Sequence, residues 1–350
     1  MWRRGSLLGL AALFASPAVA QPPLFALPLD CSLGETCYIQ NFVDTLPAEG
    51  RVSDFACGPL SYDGHKGTDF ALLNRAQMAT GVTVTAAADG VVRGTRDEMP
   101  DTGLSSATEA MIAGRECGNG LVIDHGDGWV SQYCHMKLGS ITVSKGQTVK
   151  VGDPLGQVGL SGRSEFPHLH FTVRQGERVI DPFDPEDTAT CSAADQTLWA
   201  EAPAYVAGGL IGLGFASTVP EFDSIKAGTA HKASLSHDAG ALVLWAYMFG
   251  TRSGDSLRLV ISGPEGFSFE HETTLEKTQA LSFRAAGKRL RTESWPIGAY
   301  QGLATLTRKG KIIGTEAISL QIAPSGLPYT VNVKNIRRKG KSTVPSSARG

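Results

Sequence analysis

The sequence predicts an all-β chain, an antiparallel barrel-like unit over residues 55–195 followed by an immunoglobulin-like β-sandwich over residues 200–323. Two observations carry this. Between residues 55 and 187, short apolar runs alternate with glycine turns, the rhythm of antiparallel strands and not of an α/β fold. Beyond residue 200, a second series of strand-like runs is broken by turn signals of its own.

Taken in order, residues 1–20 read as a signal peptide. Arg3 and Arg4 form a basic start, Leu7 to Phe14 an apolar core, and Ala18-Val19-Ala20 a small-residue cleavage site. That apolar run is too short to span a bilayer, and no later stretch approaches the length of a transmembrane helix. A periplasmic or secreted location is the expectation. Residues 21–54 form a Pro-rich lead-in, and the first unit then offers strands at Val82–Ala86, Gly90–Gly94, Leu121–Asp124, Trp129–Tyr133, Val149–Val151 and Leu169–Val173. Asp97 to Glu116 interrupts the rhythm, with a short helix at Ala107–Ala113. This excursion either lines a ligand groove or is a tolerated surface loop.

Export gives the six cysteines a meaning, because disulfides persist outside the cytoplasm. Cys117 and Cys134 flank the hairpin at His125-Gly126-Asp127-Gly128, nearly opposite each other in register. Cys31 with Cys37 would close a short loop, which leaves Cys57 with Cys191. Thiolate ligation of a metal by Cys134 is the competing reading, disfavoured because no CxxC occurs.

In the second unit, Ala204–Leu210, Ala241–Tyr247, Ser256–Ile261, Tyr300–Thr307 and Ile312–Ile322 supply strands, with a turn at Pro296–Tyr300 and a hairpin at Arg308-Lys309-Gly310-Lys311. No chemical constellation appears there, so a binding or positioning module is expected, with a wall polymer or a protein as its partner. Residues 331–350 carry six basic residues and no acid, and their Ser, Gly and Pro content predicts disorder. The whole chain has a formal charge of −2. Without the two arginines of residues 1–20 it is −4, and without the six positive charges of the tail it is −10. An acidic body argues against nucleic acid as a partner.

Chemistry concentrates in the first unit. In Pro167-His168-Leu169-His170-Phe171, a strand would put both imidazoles on one side and Leu169 and Phe171 into a core. In Gly64-His65-Lys66-Gly67-Thr68-Asp69, a histidine and a carboxylate four positions apart can chelate one ion from a turn entering a strand. Two histidines and one carboxylate make the ligand set of a catalytic zinc, and His135 ends a further strand-like run. A lone histidine is usually a surface or satisfied core residue, which is the expectation for His125, His231, His237 and His271.

HxxxD, a strand ending in Tyr133-Cys134-His135, and HxH after a Gly-rich segment resemble the lysostaphin-like zinc metallopeptidases, which cut peptide cross-links in bacterial peptidoglycan. The resemblance spans Gly58 to Asp184 and rests on the order and spacing of its pieces. It implies that His65, Asp69 and His170 ligate zinc, that a fourth position is left for water, and that His135 and His168 are catalytic, His168 as the candidate base and His135 beside the developing oxyanion. It also implies an occluding lead-in residue, for which Asp30, Asn41 and Asp44 are candidates.

The expected function is therefore a zinc endopeptidase acting on peptidoglycan stem peptides through zinc-activated water. A zinc-binding but non-hydrolytic wall module that activates another hydrolase, and a secreted peptidase for glycine-rich proteins, are the alternatives.

Overall fold

A computed structural model describes residues 21–46, 48–186 and 196–325. The expected signal peptide, the basic tail and Cys191 lie outside the described residues. The fold is all-β, as expected.

The first unit contains β1 (Cys37–Asn41), β2 (Thr68–Leu72), β3 (Thr83–Thr85), β4 (Gly90–Arg96), β5 (Asn119–Gly126), β6 (Trp129–Met136), β7 (Thr148–Val149), β8 (Pro154–Gln157), β9 (His168–Gln175) and β10 (Arg178–Ile180). Its main sheet runs β1-β2-β9-β6-β5-β4-β7, and β10 folds back on β9; β3 and β8 pair separately. All these pairings are antiparallel. One face of the sheet is packed with Phe70, Leu121, Ile123, Tyr133, Leu169, Phe171 and Val173, every one of them at most 2% exposed. Period-2 alternation then sends His168, His170 and Thr172 to the other face.

The segment read as a lead-in is built into this unit. Phe25 and Leu29 sit in its core, and β1 forms the sheet's edge strand, wholly buried. The excursion at 97–116 contains a single helical turn, Glu109–Ile112, anchored by buried Met99 and Ile112. Disulfides join Cys31 to Cys37 and Cys117 to Cys134. The pairing expected of Cys57 involves Cys191 and so a residue outside those described.

The second unit contains β11 (Gly209–Ala216), β12 (Ser234–Ser236), β13 (Ala241–Thr251), β14 (Ser256–Ser262), β15 (Ser268–Thr274), β16 (Gln279–Arg289), β17 (Gly298–Arg308) and β18 (Lys311–Ala323). Sheet β11-β13-β16 faces sheet β12-β18-β17-β14-β15 across a core of Phe215, Leu244, Leu259, Tyr300 and Leu306. Tyr300 donates its hydroxyl to the Pro296 carbonyl at 2.9 Å, the backbone latch of a tyrosine corner. Lys309 and Gly310, both at positive φ, form the tight β17–β18 hairpin.

The two units share an apolar seam. Tyr38 and Ala71 pack against Ile211, Trp245, Tyr247 and Phe249. Tyr38 and Ala71 are register partners, and Ala71 in turn pairs with His168. The second unit therefore covers one end of the sheet face that carries the histidines.

Candidate metal centre

Asp69 and His170 are direct cross-strand partners on β2 and β9. Such pairing brings side chains on one face within contact distance, and His170 Nδ1 lies 2.8 Å from Asp69 Oδ1. His65, in the turn ahead of β2, brings Nε2 to 3.2 Å from the same oxygen and 3.1 Å from His170 Nδ1. His168 Nε2 stands 3.5 Å from Asp69 Oδ1. The His135 ring centres 4.7 Å from that of His168. All five residues named from the sequence thus meet at one point.

Each imidazole is pinned by its outward nitrogen. His65 Nδ1 donates to the Phe42 carbonyl at 2.7 Å, His135 Nδ1 to the Ser161 carbonyl at 2.8 Å, and His168 Nδ1 to the Phe166 carbonyl at 2.8 Å. His170 Nε2 meets the Thr172 hydroxyl at 3.0 Å. A carbonyl only accepts, so each nitrogen facing one carries the proton, and the inward nitrogen of the neutral ring is left as a lone pair. This is the arrangement by which outer partners set the tautomer of metal-binding histidines. Two sets of inward atoms lie within 4.8 Å of one another, His65 with Asp69 and His170, and His135 with His168 and His170. The first set, two imidazoles and a carboxylate, fits zinc's preference for N and O donors.

Burial and charge polarise the cluster. Burial pushes Asp69 up, but the charges of His65 and His168 and the hydrogen bonds of His170 and His65 hold its carboxyl well below the usual range. Burial also pulls His65 down, and Asp69 more than reverses this, leaving it raised. Burial lowers His168, and lowers His135 further with help from its histidine neighbours, so both rings are biased toward the neutral form.

Sequence reasoning did not assign the supporting residues. Asn41, a candidate extra ligand, donates its amide to Asp69 Oδ2 at 2.9 Å and so acts on the carboxylate from behind. Asp44 accepts from Leu46, Ser53 and Gly64 backbone N–H groups and shapes the turn before His65. Asp30 lies beside β3, where its N–H bonds to the Thr83 carbonyl. Phe166 stacks on His168 and Tyr62 on His65, rims that spacing alone does not announce. His125 lies in β5, not in the turn, and is satisfied by the Asp89 carbonyl and Ser131. It is structural, as expected.

Residues 63–182 match the model of peptidase family M23. The chain carries an M23 peptidase domain. The resemblance to the lysostaphin-like peptidases is thereby borne out. The cell division protein DipM of Caulobacter vibrioides is 42% identical over 90 residues, 25% of this chain and 14% of the relative. The peptidoglycan DD-endopeptidase ShyA of Vibrio cholerae is 36% identical over 109 residues, 31% of this chain and 20% of the relative. A solved zinc-containing peptidase from Vibrio cholerae is 29% identical with a TM-score of 0.31, covering 45% of this chain and 39% of that one. The chain thus spans a fifth or less of the length of these two curated relatives.

Proposed function

We propose that this protein is a zinc-dependent endopeptidase that hydrolyses peptide cross-links of bacterial peptidoglycan. The observation that supports this most is the convergence of His65, Asp69 and His170 on one point with two further histidines left beside it. A structural zinc would need four protein ligands; three leave a position for chemistry. Among the relatives, ShyA is named a peptidoglycan DD-endopeptidase.

His65 Nε2, an Asp69 oxygen and His170 Nδ1 would hold the zinc, which when bound supplies a Lewis acid and lowers the pKa of water to about 7. The remaining steps belong to the chain. His168, neutral and with its Nε2 lone pair turned inward by the Phe166 carbonyl, takes a proton from the attacking water and returns it to the leaving amine. His135 presents an inward lone pair in the same way, so in its neutral form it orients water as an acceptor. The oxyanion contact expected of it requires a second proton, which its burial opposes. Phe166, packed into the seam with the second unit, fixes one wall of the site.

The two disulfides support an oxidising compartment, and we place the protein outside the cytoplasm. Among the described residues, no helix is long and apolar enough to cross a membrane. The second unit is proposed as a positioning module for a wall polymer or protein partner.

The test is mass spectrometry of purified peptidoglycan digested by the zinc-loaded chain beside its His168→Ala variant. The expected result is loss of cross-linked dimers with the parent alone, while the variant retains one zinc per chain. Equal cellular function of the two would instead favour the non-hydrolytic activator, and cleavage of glycine-rich protein with the wall untouched would favour a secreted peptidase.

A further inference from the structure

The face of the sheet that carries the histidines continues past them. Along β9, His170, Thr172 and Arg174 share one side. On β6, Cys134 and Gln132 are the register partners of His170 and Thr172. Gln132 joins the two regions: its Nε2 lies 3.4 and 3.3 Å from the sulfurs of Cys117 and Cys134, and its Oε1 accepts from Arg174 Nη1 at 2.8 Å. Beyond it lies a shallow depression of about 510 Å³, bordered by Arg93, Arg96 and Arg174. Gly94, Gly118 and Gly120 leave much of its lining without side chains.

These arginines are not consumed by the fold. Arg96 donates Nε to the Gly118 carbonyl at 2.6 Å and Nη2 to the Arg115 carbonyl at 3.5 Å, and Arg174 donates Nη1 to the neutral Gln132. Among the described residues, neither has a carboxylate within ion-pair distance. Arg93 approaches Asp124 at 3.5 Å with both side chains well exposed, a weak pairing. Neutral anchors hold the guanidinium groups in place and leave further N–H donors free, in a body whose residues 21–330 carry a net charge of −10. A planar, fixed guanidinium is the side chain best matched to a carboxylate. At the opposite end, Tyr38, Phe166 and the second unit cover the sheet. One open path for an extended peptide held at the histidines therefore crosses the arginines, beside a second cavity of about 320 Å³ that opens at His65.

We propose that Arg96 and Arg174 form a subsite for a free carboxylate of the peptide substrate, an inference that rests on the hydrolase reading. His170 and Arg174 are separated by about 13 Å of strand, which places that carboxylate within about four residues of the scissile bond. The subsite favours acidic stem peptides over amidated ones.

The probes are two fluorescently labelled synthetic stem-peptide dimers, one with free carboxylates and one with carboxamides. Anisotropy gives their binding to the zinc-loaded His168→Ala chain, and kcat and KM are measured with the parent. The free-acid dimer should bind about 10-fold tighter than the amide, with the difference in KM and not in kcat. Arg96→Gln with Arg174→Gln should bring the ratio close to one, and Arg174→Lys should keep part of it. Equal binding of the two dimers to the His168→Ala chain, or a preference that survives the double substitution in it, overturns the subsite. Preference without turnover by the parent would sink the hydrolase reading and leave the subsite standing, whereas turnover without preference would do the reverse.

Discussion

Tyr133 and His135 stand two residues apart on β6 and face opposite sides of the sheet. Tyr133 is fully buried, its hydroxyl accepting from Ala87 N–H and its ring against Phe171, while the His135 ring meets His168 on the other face. A regular strand would put both on the core side. The ladder resolves this with an extra residue in β6 between the Tyr133–Leu121 and Met136–Asn119 pairs, and His135 takes a φ of 63°. Such bulges re-aim side chains beside active sites. The bulge is braced by the Cys117–Cys134 disulfide and by the His135 N–H bonding to the Cys117 carbonyl at 2.8 Å.

Removing that brace should loosen His135 more than His65, Asp69 and His170. The Cys117→Ser/Cys134→Ser double variant should lose about 3 kcal/mol of stability from the opened loop and at least 10-fold in kcat. Zinc stoichiometry should stay at one per chain. Urea melts, kinetics and metal analysis on one preparation check this, and an unchanged kcat would mean that His135 is held by Ser161 alone.

Asn41 holds Asp69 from behind, so Asn41→Ala should act on the metal and not on the fold. Loss of such an outer partner typically weakens metal affinity by about 10- to 100-fold. Competition with a zinc chelator measures it, while the apo chain's melting temperature should move little.

Gly67 leaves room for His170. A Cβ at this position would stand 2.7 Å from both His170 Nε2 and the Phe171 carbonyl oxygen. Gly67→Ala should therefore turn the His170 ring off Thr172 and abolish stoichiometric zinc binding, read by metal analysis after gel filtration. Full zinc occupancy in the variant would show that the strand yields instead.

Asp181 gives the fold a pH dependence of its own. Burial pushes its carboxyl up to about 7, against help from the Phe183 N–H bonded to Oδ1, and Oδ2 has no partner. A raised carboxylate pKa means that the folded chain binds the proton more tightly than the unfolded one. Stability should therefore fall as pH rises from about 4 to 7 and level off above. Asp181→Asn keeps the Phe183 acceptor and removes the charge, so its melting temperature should exceed the parent's by several degrees at pH 8 and by little at pH 4. An equal gain at both values would assign the effect to packing.

Much of this protein is local and was legible as such. The HxH pair lies on a strand whose alternation fixes the faces of His168, Leu169, His170 and Phe171, and the Gly-punctuated runs mark most strands of the first unit. Strand β15 shows no core-facing period because its residues are mostly polar and exposed, whereas in β16 Leu281, Phe283 and Ala285 do alternate but are only half-buried against the seam. The segment before residue 55 reads as a lead-in because its tie to the sheet lies in the β1–β2 ladder, a pairing that local pattern does not encode.

The sequence by itself determined the all-β class, the two units, and the His65/Asp69 and His168/His170 pairs, because strand periodicity and ligand spacing are properties of neighbours along the chain; the resemblance to the lysostaphin-like peptidases is what added His135 to them. Only the tertiary structure decided how those residues meet. The cross-strand register sets Asp69 against His170, the bulge turns His135 out of the core, Asn41 comes in from an edge strand, and the second unit covers one end of the site face. Each depends on which distant segments pair and pack, and that is settled by burying the whole apolar surface at once and not by any local stretch of chain.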